Sequence, residues 1–301
     1  MKYIKGLLDQ TEELMPEPTG IKPKMERLND IQVVIFDVYG TLLISSSGDV
    51  EEEQLSEHHL LHALEEGHFV IQNKKEFLEG GQAKQMLTRY RELINEYQIK
   101  KKKEKNINYP EINIVAIWDV LLKQAAEQNT IKYTEDSDIK QMIFVFEMHS
   151  NKVYPMPGMN HVLGEMINKN KILGIISNAQ FYTPIIMNYF INKKIELNNL
   201  HPFDKRLTLF SYQESLAKPE FILFDKLLSI LRNNYQLKAG QTLFVGNDMH
   251  KDIYPAHKAG MKTALFAGDK RSLRLRQDKP ETKNLEPDLI ITELNQLLNV
   301  I

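Results

Sequence analysis

The chain has 301 residues, 42% apolar and 26% charged, an ordinary balance for a folded protein of one large or two modest domains. Lys plus Arg number 38 against 40 Asp plus Glu, a net charge of −2, which makes no electrostatic case for nucleic acid or an anionic membrane as partner. Cysteine is absent, so disulfides, thiolate metal sites and a cysteine nucleophile are excluded. No run approaches the ~18 apolar residues of a membrane span. The start, Met1 to Asp9, lacks the apolar core of a secretory signal. The expectation is a cytoplasmic globular protein large enough for two cores.

In chain order, residues 1–30 read as a helix and an extended arm with no assigned role. The first short apolar run is Val33-Val34-Ile35-Phe36. From Gly48 to about Ser150 the pattern turns helical. Ala83, Met86, Tyr90, Leu93, Ile94 and Tyr97 share one helix face, and Pro110 to Gln124, with the only tryptophan, Trp118, reads as another helix. This stretch is an insert of domain size, with Ser45-Ser46-Ser47-Gly48 as its hinge. The run Lys100 to Lys105 lacks interleaved aromatics and reads as a solvated helix end. Apolar runs then resume at Ile172–Ile176, Leu207–Phe210, Thr242–Val245, Thr263–Phe266 and Leu289–Ile291. Runs this short, bounded by polar loops, suit strands buried on both faces. Pro219 is read as the first position of a helix to about Leu231, and Gly260 as the close of a helix from Asp252 to Ala259. Strand alternating with helix predicts an α/β fold around a parallel sheet.

In such a sheet, ligands collect outside the carboxyl ends of the strands. The residues there are Asp37-Val38-Tyr39-Gly40-Thr41, Ser177-Asn178 and Gly246-Asn247-Asp248-Met249-His250-Lys251-Asp252, with Lys218 standing before Pro219. Each alone is ordinary, since an Asp at a strand end is a common turn former or helix cap. Together, at corresponding strand ends, they gather three carboxylates, a hydroxyl and an ammonium.

Asp37-x-Tyr39-Gly40-Thr41, Ser177-Asn178, Lys218-Pro219 and Gly246-x-Asp248-x-x-x-Asp252 resemble the four motifs of the haloacid dehalogenase superfamily. The resemblance implies a Rossmann-like core over 1–47 and 151–301 and an inserted helical cap over 48–150. It implies Asp37 as a nucleophile forming a covalent aspartyl intermediate, with Thr41, Ser177 and Asn178 in the catalytic set. Ser177 would donate a hydrogen bond to a phosphoryl oxygen. Lys218 would stabilise developing charge, and Asp252 would orient Lys218 or metal-bound water. It further implies Mg2+ on Asp37, on the backbone carbonyl of Tyr39 and on Asp248.

One position departs from the pattern. Phosphatases of the superfamily carry a second Asp two residues after the nucleophile, where this chain has Tyr39. General acid–base catalysis contributes about 10²–10⁴-fold, and a phenol with a reference pKa near 10 is a poor base at neutral pH. Tyr at this place resembles the metal-free 2-haloacid dehalogenases, whose chemistry needs no leaving-group acid. The fourth motif, with acids at 248 and 252, resembles the Mg2+-dependent phosphohydrolases instead, because an acidic pair calls for a cation. The fourth motif is given more weight. The reading is a Mg2+-dependent phosphatase of a small phosphorylated metabolite. A 2-haloacid dehalogenase is the alternative, and a weakly catalytic phospho-ligand binder the third.

Lesser features take their ordinary readings. His250 is expected as a loop histidine facing solvent, with His257 beside it, and Glu51-Glu52-Glu53 with His58-His59 as a charged helical face. Arg271, Arg274 and Arg276 are expected on a basic surface helix, with reach to an anionic substrate as the alternative.

Overall fold

A computed structural model describes residues 2–47, 55–105, 107–196 and 199–301. Gly48 of the expected hinge and Glu51-Glu52-Glu53 lie outside the described residues. Strands in chain order are β1 (Val33–Phe36), β2 (Leu43–Ser45), β3 (Val70–Ile71), β4 (Ile131–Lys132), β5 (Val153–Pro155), β6 (Ile172–Ser177), β7 (Thr208–Phe210), β8 (Thr242–Gly246), β9 (Lys262–Phe266) and β10 (Leu289–Ile291). The chain divides into two compact units, Met1–Thr11 with Val50–Lys152, and Glu12–Asp49 with Val153–Ile301.

The second unit is built on a six-stranded sheet in the order β10-β9-β8-β1-β6-β7. All five pairings are parallel. Val33, Val34, Ile35 and Phe36 are fully buried, as an apolar run without alternation requires of a strand covered on both faces. Val33 and Ile35 pack with Ile176, Leu209, Phe224 and Phe244 in one core cluster. β1 sits between β6 and β8, so the chain leaves it to one side and later crosses to the other. The carboxyl end of β1 is therefore the switch point at which open α/β sheets bind ligands. The arm expected from sequence runs along the far edge. Lys24 bridges Ile290 of β10, and Leu28 N–H donates to the Val300 carbonyl at 2.8 Å.

Two helix boundaries differ from expectation. The Lys218–Pro219 peptide is cis, and the helix begins at Phe221, runs to Ile230 and closes in a wider π turn over Leu231–Tyr235. Pro219 thus precedes the helix rather than opening it. The expected helix from Asp252 starts earlier, as a π turn over Met249–Ile253 followed by an α turn over Tyr254–Lys258.

The first unit holds helices Glu57–Glu66, Lys74–Leu78, Gln82–Lys105, Ile114–Glu127 and Ile139–Ser150, with β3 and β4 paired antiparallel. Asn73, Asn113 and Asp138 cap three of them through their side-chain oxygens. Trp118 is buried, its ring centroid 4.7 Å from Tyr90 and 5.1 Å from Phe146. Ala83, Met86, Tyr90 and Leu93 lie inward as their spacing demands, while Lys100 and Lys101 pair with Glu104 at the helix end. The helix Lys2–Asp9 belongs to this unit and not to the sheet unit, where residues 1–47 are expected. An amphipathic face says that a helix will be covered; it does not say by what. Among the described residues no helix is long and apolar enough to cross a membrane.

Candidate active site

Asp37 follows β1 directly, and its N–H donates to the Val245 carbonyl of β8 at 2.9 Å, which carries the sheet ladder one residue past the strand. The chain then turns sharply. Leu42 N–H returns to the Val38 carbonyl at 2.9 Å, and Gly40 adopts a φ of 81°. A side chain at Gly40 would meet Asn247 Nδ2 and Ser272 Cβ, each at 2.6 Å, so glycine is required for both conformation and space.

Lys218 reaches this turn from the loop after β7. Asn178 fixes its backbone from both sides. The Lys218 N–H donates to Asn178 Oδ1 at 2.6 Å, and Asn178 Nδ2 donates to the Lys218 carbonyl at 3.2 Å. The Lys218 side chain is 3% exposed, and its ammonium donates to Asp37 Oδ1 at 2.6 Å and Asp252 Oδ1 at 2.5 Å. Burial works against its charge, but the carboxylates of Asp252 and Asp37 prevail and hold its pKa above the ordinary lysine value. Asp37 Oδ2 has no hydrogen-bond partner among the described residues.

Asp252 Oδ2 accepts from the Asp248 N–H at 3.0 Å, so one carboxylate links Lys218 to the fourth motif. Burial pushes the Asp252 carboxyl up; Lys218 pulls against it, and Asp37 and Asp248 push with it. Gly246 leaves room for this group, since a Cβ there would lie 2.5 Å from the Asp252 carboxyl.

Asp248 is buried and both of its oxygens are engaged. Oδ1 accepts from the N–H groups of His250 at 2.8 Å and Lys251 at 3.0 Å, capping the π turn. Oδ2 accepts from Arg276 Nε at 3.0 Å and Nη2 at 2.8 Å. Burial opposes ionisation, yet Arg276 and the two N–H groups hold its pKa below the usual carboxylate value. Arg276 is the site residue that sequence reasoning placed wrongly. Residues 270–276 form turns and a bridge, not a basic helix. Arg271 pairs with Asp269, and Arg274 Nη1 donates to the carbonyls of Arg271 and Leu273. Arg274 is bridged to Asp248 through the backbone, its N–H donating to the Asn247 carbonyl at 3.0 Å and its carbonyl accepting from Met249 N–H at 2.9 Å. That bridge delivers Arg276 to the site.

The remaining expected residues are close but differently employed. Thr41 Oγ1 donates to Asn247 Oδ1 at 3.1 Å, and Asn247 Nδ2 donates to the Ser272 carbonyl at 2.6 Å, so Thr41 braces the first motif against the fourth. Ser177 is buried at the end of β6, where its hydroxyl donates a long 3.4 Å bond to the Asn178 carbonyl. The Tyr39 hydroxyl meets Thr183 Oγ1 at 2.9 Å. His250 is half-buried with its ring 6.3 Å from that of Tyr254, rather than turned to solvent, and His257 is exposed.

Among the described residues no three His, Asp or Glu side chains gather in metal-holding geometry. An ion here would rest on the carboxylates of Asp37 and Asp248 with the Tyr39 carbonyl. These hard oxygen donors suit Mg2+, which takes few protein ligands and keeps much of its water. The donor set therefore fits, and Arg276 stands on the Asp248 oxygen that the His250 and Lys251 N–H groups leave to it.

The family model for haloacid dehalogenase-like hydrolases matches residues 89–266. The match takes in Ser177, Lys218, Asp248 and Asp252, while Asp37 lies ahead of it. Pyrophosphatase PpaX of Oceanobacillus iheyensis is 25% identical over 179 residues, 58% of this chain and 74% of that protein. The crystal structure of a 2-haloacid dehalogenase from Pseudomonas syringae aligns with a TM-score of 0.51 at 21% identity, covering 90% of this chain and 97% of that one. A phosphatase from Thermococcus onnurineus aligns with a TM-score of 0.49 at 15% identity, covering 90% of this chain and 97% of that one.

Proposed function

The chain belongs to the haloacid dehalogenase-like hydrolases, and from that premise we propose that it is a Mg2+-dependent phosphatase of small phosphorylated substrates, working through an aspartyl-phosphate on Asp37. The observation that carries this reading is charge. Three buried carboxylates, Asp37, Asp248 and Asp252, are joined by two cations, Lys218 and Arg276. The surplus negative charge is costly in a buried site, and an incoming phosphate adds to it.

In this reading the Asp37 oxygen that Lys218 does not hold attacks phosphorus. A P–O bond to Asp37 forms as the bond to the leaving oxygen breaks, and that oxygen takes its proton from solvent. Water then attacks phosphorus and gives up a proton to solvent as the bond to Asp37 breaks, and phosphate leaves with the Asp37 carboxylate restored. Lys218 fixes Asp37 and sets positive charge where negative charge develops. Asp252 positions Lys218, and Ser177 Oγ is the donor for a phosphoryl oxygen. Bound Mg2+ would offset the charge that the phosphoryl group shares with Asp37 and Asp248. The helical unit, inserted between the first and second motifs, is the cap that selects the substrate. With Tyr39 tied to Thr183 and no carboxylate two residues past Asp37, substrates with acidic leaving groups are favoured.

A second reading, a metal-free 2-haloacid dehalogenase, has Tyr39 and the Arg276 neutralisation of Asp248 in its favour. Phosphate release across a set of phosphorylated metabolites, with Mg2+ and with EDTA, set beside halide release from 2-chloropropionate, separates them. Mg2+-dependent phosphate release, lost in Asp37→Asn, is expected. Metal-independent halide release lost in the same variant would overturn the phosphatase reading.

A further inference from the structure

The position of Arg276 points to a function of its own. Its side chain is 27% exposed, that of Asp248 only 7%, so the guanidinium enters from the rim and meets a buried carboxylate. Two charge-assisted bonds fall on one oxygen, and the other oxygen is spent on the His250 and Lys251 N–H groups. The backbone that delivers it is costly. Arg276 has a φ of 48°, a conformation that non-glycine residues seldom adopt and that persists where surroundings enforce it. Here Thr282 Oγ1 and the Lys279 N–H both donate to its carbonyl, and the bridge between Arg274 and Asp248 lies two residues away.

We infer that Arg276 competes with the divalent cation for Asp248, holding the carboxylate in place until the metal displaces it, and so sets the metal affinity of the site. The inference rests on the metal-dependent reading above. Exchange of one guanidinium for a divalent ion would balance the three buried carboxylates with Lys218 and that ion. Loading must first break both Arg276 bonds, and that cost lowers the apparent affinity.

The test is Mn2+ binding to the full chain without substrate, read by the loss of the free-ion signal in electron paramagnetic resonance. Arg276→Gln is expected to bind at least ~10-fold tighter than the parent, with a larger Mn2+-induced rise in Tm. Arg276→Lys keeps the charge but loses the two-pronged hold, and is expected between the two. In an Asp248→Asn background the Arg276→Gln gain should vanish. A folded Arg276→Gln with parental or weaker affinity overturns the inference and leaves the phosphatase reading standing. A gain in Arg276→Gln with none in Arg276→Lys would mean a through-space charge effect and also overturns it. Should Arg276→Gln fail to fold, the Arg276→Lys comparison decides. No Mn2+ binding in any variant overturns the inference together with the metal-dependent reading.

Discussion

At Lys218 a buried ammonium lies 2.6 Å from Asp37 and 2.5 Å from Asp252, so removing its charge strands two carboxylates away from water. Lys218→Met is expected to destabilise the protein by ~3–5 kcal/mol in chemical denaturation, the usual cost of leaving a buried charge unpaired, besides abolishing turnover. Gly40→Ala has a different origin. The left-handed backbone costs ~1–2 kcal/mol, and the methyl must displace both Asn247 and Ser272 from 2.6 Å, a further ~1–3 kcal/mol. A drop in denaturation midpoint of that combined size is expected, with loss of activity because the Thr41–Asn247 brace goes with it. An unchanged midpoint would count against this account of the turn. Most of the site could be read from sequence because its residues stand at strand ends, where an apolar run announces them. Arg276 could not. It meets Asp248 across 28 residues, from turns beyond β9 that carry no periodicity, and an arginine in such a stretch looks like any surface arginine.

Among the elements, the pairing of helices Glu57–Glu66 and Ile139–Ser150 carries a pH dependence. His59 and His62 on one helix meet His149 on the other, with ring centroids 5.6 and 4.9 Å from it. His59 Nδ1 and His149 Nε2 are buried without a hydrogen-bond partner among the described residues. A charged helical face is the expectation for His58-His59, yet of the two only His58 is exposed. Burial, then the neighbouring histidines and Lys152, hold the His59 and His149 pKa values below the ordinary 6.5. The folded state thus binds protons less readily than the unfolded chain. No penalty exists above pH 6.5, and stability falls as pH drops below it. The helical unit should show a falling Tm from pH 6.5 toward 5, flattened in His149→Gln; a slope unchanged by that substitution would be the contrary result. Element boundaries were legible to within a residue or two at the apolar runs of the sheet. They slipped at Pro219, where the proline precedes its helix, and at Asp252, where a π turn absorbs the start.

On the scale of the molecule, the first eleven residues serve the helical unit although the chain then runs along the sheet. Tyr3 lies in the helix Lys2–Asp9, and its hydroxyl is 3.5 Å from His62 Nε2. Deleting residues 2–11 is expected to speed amide exchange in Glu57–Glu66 and Ile139–Ser150 while leaving β1 and β8 protected, as hydrogen-exchange mass spectrometry would show. Faster exchange in β1 and β8 would contradict the division. The sheet itself was legible as an alternation of strand and helix; the allegiance of the amino-terminal helix was not, since it is settled only by long-range packing. The central place of β1 has a consequence in time. Its neighbours β6 and β8 follow far along the chain, and at ~5–20 residues per second the ribosome needs ~10–40 s to pass from Phe36 to Val245. The helical unit can mature within that interval, but Val33–Phe36 cannot pair until β6 and β8 have been made. Asp37, made ahead of both neighbouring strands, is held in place only after they arrive.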